Sequence, residues 1–478
     1  MNFARDVVDA TPPHRRALVA LARDGSRREW TFGEISDSHA RLAATLQSHG
    51  VTRGDVVLTL IGNRPEWVLA MLACFRLGAV ALACNEQLRA HDLAHRLAAA
   101  KPRLILADER NREELDRANP SCPVLTIPDA SLYAAEPAPP QELEPTDPCL
   151  ITFTSGTTGE PKGVIHGQRY LSGQHLQAEH WLDARPGDLV WCTAATGWSK
   201  SARNTFIAPW IRGAAALLHD ARFDPAERLQ ILDRERVNVL CMAPTEYRVI
   251  AKRVDIHPVP SLRTLVAAGE ALNPEVLRTF KEATGLEIRD GYGQTETGQL
   301  TAMPAGRPAR PGSMGRPLPG VQLDVIDGEL VLTDPSTDPT FFVSHLGGDP
   351  APIREPWHTG DRVHQDEDGY LYFESRADDV IISAGYRIGP FEVESALVSH
   401  PAVAEAAAVS APDEERGAVV RAVVVLRADA EPSDELIREL QEHVRAETAP
   451  YKYPRIVEFA DELPKTASGK VRRALLRG

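Results

Sequence analysis

Leu150-Ile151-Thr152-Phe153-Thr154-Ser155-Gly156-Thr157-Thr158-Gly159-Glu160-Pro161-Lys162-Gly163 joins an apolar run to a turn of glycines, hydroxyl residues and one lysine. Its first five residues read as a buried strand that runs straight into the glycine-rich turn. Small residues there let a backbone approach a polyanion, hydroxyl and N–H groups can bond phosphate oxygens, and Lys162 adds charge. The spacing is not the GxxxxGK[ST] of a P-loop. Taken by itself, the run is either a phosphate cradle or a flexible surface turn.

Working outward, the flanking sequence predicts layered α/β structure. Upstream, Val56-Val57-Leu58-Thr59-Leu60 reads as a buried strand, 67–74 as an apolar helix and 103–107 as another strand. The Pro- and Glu-rich stretch 134–148 reads as a surface connection. Downstream, from 190 to 266, short apolar runs alternate with helical patterns, as in 214–218 followed by 226–232. A Pro/Gly-rich stretch at 304–320 precedes a strand-rich region at 321–332.

The last hundred residues read as a separate α+β module. Val380-Ile381-Ile382 is a strand, and 390–397 a helix whose proline suits the first turn. Two Ala/Val-rich strands flank Asp413-Glu414-Glu415-Arg416-Gly417. Leu436, Ile437, Leu440 and Val444 form an apolar helical stripe with Ser433 or Asp434 as its cap. No internal repeat is visible.

The 478 residues leave room for about three domains at ~150 residues each. The formal net charge of −14 argues against nucleic-acid or membrane-surface binding, which would call for a basic stripe. It also requires any anion site to be locally basic. The six cysteines are scattered without metal-ligand spacing, so reduced, buried thiols are expected. No apolar run reaches the ~18 residues of a membrane span, and the start lacks the layout of a signal peptide. The expected location is cytoplasmic.

Four further segments accompany the glycine-rich run in order. They are Gly291-Tyr292-Gly293-Gln294-Thr295-Glu296-Thr297, Trp357-His358-Thr359-Gly360-Asp361, Arg376-Ala377-Asp378-Asp379-Val380 and Pro464-Lys465-Thr466-Ala467-Ser468-Gly469-Lys470. Together the five resemble the signatures of the adenylate-forming superfamily of acyl-CoA synthetases, luciferases and peptide-synthetase adenylation domains. Ser383-Ala384-Gly385-Tyr386-Arg387-Ile388-Gly389-Pro390-Phe391-Glu392, Ala195-Thr196-Gly197-Trp198 and Pro450-Tyr451-Lys452-Tyr453-Pro454-Arg455 resemble the medium-chain acyl-CoA synthetase branch.

The resemblance implies a large N-terminal domain of layered α/β subdomains and a small mobile α+β C-terminal domain. Residues 1–375 would bind ATP and the acid, 376–379 would be the hinge with Asp378 as pivot, and 380–478 would carry the catalytic lysine. It implies an ATP-dependent carboxylic acid–CoA ligase that works through an acyl-adenylate. ATP, Mg2+ and coenzyme A would be its cofactors and small molecules its partners, as a monomer or homodimer.

By the same resemblance, Lys470 would bridge carboxylate and α-phosphate, Thr295 would bond the α-phosphate and Glu296 would hold Mg2+. Thr154, Ser155, Gly156, Thr157, Thr158 and Lys162 would cradle the outer phosphates. Gly269, Glu270, Asp290, Gly291 and Tyr292 would form the adenine pocket, and Asp361 would take the ribose hydroxyls with Arg376. Gly385, Tyr386, Arg387, Lys452 and Arg455 would meet CoA, and Trp198, Met242 and Gly293 would line the acyl pocket. Relatives restricted to acetate carry tryptophan where this chain has Gly293, which implies an acid larger than acetate: short or branched, hydroxylated, or medium-chain. Two other readings stay open: an acyl-AMP ligase that delivers to a carrier protein, and a non-catalytic nucleotide-binding homologue.

Overall fold

The apolar run Val56–Leu60 sits at the centre of the five parallel strands of a seven-stranded sheet. Val80–Cys84 and Leu104–Asp108 flank it in parallel, with Val124–Ile127 outside one and Pro148–Phe153 outside the other. Gly163–Gly167 and Ser344–His345 then continue the sheet antiparallel. Parallel strands need crossover connections, and the helices Pro65–Leu77 and Ala90–Ala100 supply two of them. The structure is a computed structural model; it describes every residue except 155–160, 270, 271, 273, 378, 384, 385, 414, 415, 466–469 and 478, and the backbone alone of Arg387.

A second sheet has thirteen strands. Its parallel block runs Arg16–Leu21, Ala215–His219, Leu189–Cys192, Val239–Met242, Thr264–Ala268 and Ile288–Tyr292. Beyond Ile288–Tyr292 the pairing turns antiparallel through Thr301–Ala302, Ser313–Pro317, Leu371–Arg376 and Trp357–Gln365. Helix Pro65–Leu77 is buried on every face from Trp67 onward. It packs with Phe32–Ser48 in one core that draws Leu18 and Leu218 from the second sheet and Val57 and Leu106 from the first. A helix that is apolar all round has to lie inside such a sandwich, and each large side chain buried there contributes about 1.5–3 kcal/mol.

The C-terminal domain has its own core. Val403–Asp413, Gly417–Leu426 and Ile456–Phe459 form a three-stranded sheet. Helices Pro390–Ser399 and Asp434–Glu447 pack on it through Val393, Leu397, Leu436, Leu440 and Val444. Ser433 caps the second helix, with its Oγ accepting from the Leu436 N–H at 3.1 Å. The two domains touch where Lys252 Nζ donates to the Ala404 carbonyl at 3.2 Å. No helix among the described residues is long and apolar enough to cross a membrane.

Candidate active site

One cleft of about 2420 Å³ runs between the sheets and the C-terminal domain. It gathers residues from all five sequence segments: Thr154 and Lys162, Tyr292 to Glu296, Asp361, Arg376 and Lys470. The strand ends explain the meeting. Pro148–Phe153 and Ile288–Tyr292 both deliver their C-terminal residues to the cleft, the place where open parallel sheets bind ligands. At the base of the phosphate loop, the Thr154 N–H donates to the Lys162 carbonyl at 2.9 Å and the Lys162 N–H to Thr154 Oγ1 at 3.2 Å.

Asp361 organises the nucleotide end. It stands opposite Arg376 on antiparallel strands, and Arg376 Nη1 donates to its Oδ1 at 3.0 Å. Its Oδ2 accepts from Gln294 Nε2 at 2.8 Å and from the Tyr292 phenol. Trp357 Nε1 in turn holds Gln294 Oε1 at 3.2 Å. Burial pushes the Asp361 carboxyl above its ordinary value, against the pull of Arg376, Tyr292 and Gln294. Burial likewise pushes Asp290 up to about 8, against a backbone bond from Gly291 and the charge of Lys200. Gly269, Asp290 and Gly291 also line the cleft. Gly291 is tightly enclosed, because a Cβ there would sit 2.9 Å from the Thr301 carbonyl oxygen.

Glu296 is half-buried in the cleft wall with His345 Nε2 3.4 Å from its Oε1. Among the described residues no three His, Cys, Asp or Glu side chains gather as a metal cage. One carboxylate beside a triphosphate suits Mg2+, which is bound through one or two carboxylates plus substrate phosphates. Behind Thr295, His166 is fully buried and its Nε2 lies 2.9 Å from the Thr295 carbonyl.

The acyl assignments divide. Trp198 is partly exposed and faces the cleft, and Gly293 lines it too. Met242 does not: side chains alternate along Val239–Met242, so Cys241 packs on one face of the sheet and Met242 enters the core on the other. The turn itself also calls for glycine at 293, because a Cβ there would lie 1.7 Å from the Gly298 carbonyl oxygen. Gly197 is forced in the same way, with φ of +87° and the Asn85 N–H 2.6 Å from a would-be Cβ.

The structure brings Lys470 to the cleft and leaves Tyr386, Lys452 and Arg455 outside its lining. Tyr386 and Tyr451 stack at 4.3 Å on an exposed face of the C-terminal domain. Lys452 pairs with Glu392 there, and Arg455 lies over Tyr453. Ser155, Gly156, Thr157, Thr158, Glu270, Asp378 and Gly385 lie outside the described residues, as does the Arg387 side chain. Lys200, Arg203, Gln294, Trp357 and His345 also line the cleft without having been singled out. The signatures carried a signal for Gln294 and Trp357; His345 follows no local pattern.

A large cleft at the strand ends, a buried aspartate paired with an arginine and a lysine brought in by the C-terminal domain are what an adenylate-forming ligase of the acyl-CoA synthetase type requires. The chain belongs to the AMP-binding enzyme family: residues 4–336 match the family profile and 392–470 that of the AMP-binding enzyme C-terminal domain. It is 37% identical over 521 residues to the mitochondrial acyl-coenzyme A synthetase ACSM3 of Rattus norvegicus, covering 100% of this chain and 90% of that one. Among solved structures it resembles the anthranilate CoA ligase AuaEII in complex with anthranoyl-AMP, at TM-score 0.89 and 28% identity over 100% of this chain and 96% of that one. A benzoate CoA ligase from Burkholderia xenovorans LB400 is similar at TM-score 0.89 and 27% identity, with 100% of both chains covered.

Proposed function

We propose that this cleft joins a carboxylic acid larger than acetate to coenzyme A in two half-reactions. In the first, a carboxylate oxygen attacks the α-phosphorus of ATP, the bond to the β-phosphate oxygen breaks and pyrophosphate leaves. In the second, the CoA thiolate attacks the carbonyl carbon of the acyl-adenylate and AMP leaves. The observation that carries the reading is the convergence of Lys470, Thr295, Lys162 and the Asp361 cluster on one cleft.

Charge gathers on phosphate oxygens in the first transition state, so positioning and electrostatic stabilisation supply most of the rate. Lys470 neutralises charge between carboxylate and α-phosphate, Thr295 donates to the α-phosphate, and Thr154 with Lys162 and the intervening loop hold the outer phosphates. Asp361 receives the ribose hydroxyls with Arg376 beside it, and adenine lies against Gly269, Asp290, Gly291 and Tyr292. Glu296 would hold Mg2+, which when bound neutralises phosphate oxygens.

For the second half-reaction we assign 1–375 to the static domain, 376–379 to the hinge about Asp378, and 380–478 to a domain that turns. Gly385, Tyr386, Arg387, Lys452 and Arg455 then meet CoA. Two observations support this: the C-terminal core is separate, and the Tyr386 and Lys452 face lies off the cleft while Lys470 is in it. Asp379 pairs with Arg473 and Arg477, which ties the residue after the pivot to the tail that carries Lys470. The six cysteines are free thiols, which suits a reducing compartment and the cytoplasm.

The test is pyrophosphate release with ATP and Mg2+ over a panel of acids, with CoA present and absent. CoA-dependent thioester formation with acids larger than acetate is the expected result. Adenylation that never proceeds to a CoA product would overturn the acceptor, and no release with any acid would overturn the ligase.

A further inference from the structure

The short helix Ser199–Ala202 and the turn Arg203–Ile207 follow Trp198, and they bring Ser199, Lys200 and Arg203 to the cleft. Trp198 is the residue assigned to the acyl pocket, so Arg203 stands one helical turn beyond that assignment. Arg203 is 5% exposed, lines the cleft, and has no acceptor for either Nε or Nη1. Its Nη1 is 3.5 Å from the Cβ position of Gly298, the residue whose carbonyl abuts Gly293. Lys200 donates to the Ala268 carbonyl at 2.9 Å and reaches within 3.3 Å of the Cβ position of Gly269. Neither cation forms an ion pair with a carboxylate among the described residues.

A buried guanidinium with unanswered donors is costly, and packing a plain hydrocarbon chain against it would remove its remaining access to water. A carboxylate reverses the sign of that cost, because its oxygens accept the planar N–H donors in charge-assisted bonds. We propose that the acyl pocket takes a carboxylic acid bearing a second carboxylate, which seats on Arg203 while the first is adenylated. This rests on the ligase reading and names its substrate class.

The experiment measures pyrophosphate release and thioester formation for succinate, glutarate and adipate against butyrate, pentanoate, hexanoate and 3-hydroxybutyrate. It uses the full-length chain and its Arg203→Met and Arg203→Lys variants. The wild type is expected to favour a dicarboxylic acid over its length-matched monocarboxylic partner by about a hundredfold in kcat/KM. Arg203→Met abolishes that preference and Arg203→Lys keeps part of it, with KM for the dicarboxylic acid moving more than KM for ATP. If Arg203→Met does not fold, the wild-type panel decides alone. A wild type that favours a monocarboxylic or hydroxy acid overturns the substrate class and leaves the ligase standing; one that releases pyrophosphate with no acid overturns the ligase itself.

Discussion

The phenol of Tyr292 donates to the carboxylate of Asp361, on the oxygen that Gln294 also occupies. A carboxylate offers about four acceptor positions, and Arg376 takes a third. If Asp361 takes the ribose hydroxyls as proposed, two of them would need the position that Tyr292 holds. The phenol would then stand in for a nucleotide hydroxyl, and its departure would free the ring to lie against adenine.

That exchange makes opposite predictions for two single substitutions. Asp361→Asn is expected to weaken ATP binding by about a hundredfold, since it loses charge-assisted bonds to two hydroxyls. Tyr292→Phe removes the competitor but keeps the ring, so ATP affinity should be unchanged or up to about tenfold tighter. Titration calorimetry with ATP reads both directly. A Tyr292→Phe variant as weak as Asp361→Asn would mean that the phenol contacts nucleotide instead of standing in for it.

His166 predicts a pH dependence. Burial holds its imidazole at about 3, well below its ordinary 6.5, even though the Thr295 carbonyl favours the charged form. Its Nδ1 is buried without a well-formed hydrogen bond, and the Thr340 backbone offsets only a small part of the cost of a second proton. The folded pKa is depressed, so the contribution to stability is intact above pH 6.5. It is lost as pH falls from 6.5 towards 3, because only the unfolded chain takes up the proton. The slope from this one group approaches about 1.4 kcal/mol per pH unit. Denaturant unfolding of the wild type and His166→Gln between pH 7 and 4 should show their stability difference shrinking by that slope as pH falls. A constant difference would contradict it.

Gly293→Ala should cost both stability and turnover, although it is a single methyl group. With the Gly298 carbonyl 1.7 Å from the new Cβ, the turn has to open. Gln294 and Thr295 move with it. A loss of more than about 2 kcal/mol in urea unfolding and at least a tenfold loss in pyrophosphate release are expected for all acids alike. A loss confined to the longer acids would favour the view that Gly293 sets chain length.

The strands and helices were legible because apolar runs and caps are local. The run 56–60 emerges as Val56–Leu60, and of the two expected caps, Ser433 and Asp434, Ser433 is the one that caps the helix. The order of the second sheet was not legible. Arg16–Leu21 pairs with Ala215–His219 almost two hundred residues on, and nothing near residue 16 encodes that partner. The contiguous signatures marked Asp361, Glu296 and Lys470, all of which line the cleft, whereas Met242 lies in the core because a strand residue's face depends on register. Arg203 lies outside every signature, and the absence of an acceptor for its Nε and Nη1 is a property of its surroundings that exists only in three dimensions.

The central claim is that Lys470 acts from the cleft in adenylation and is withdrawn before thioester formation. The measurement is Lys470→Ala assayed separately in each half-reaction, by pyrophosphate release from ATP and by CoA transfer from preformed acyl-AMP. Adenylation is predicted to fall by about a hundredfold or more, with transfer from acyl-AMP staying within a fewfold of wild type. Equal loss of both halves would contradict the account.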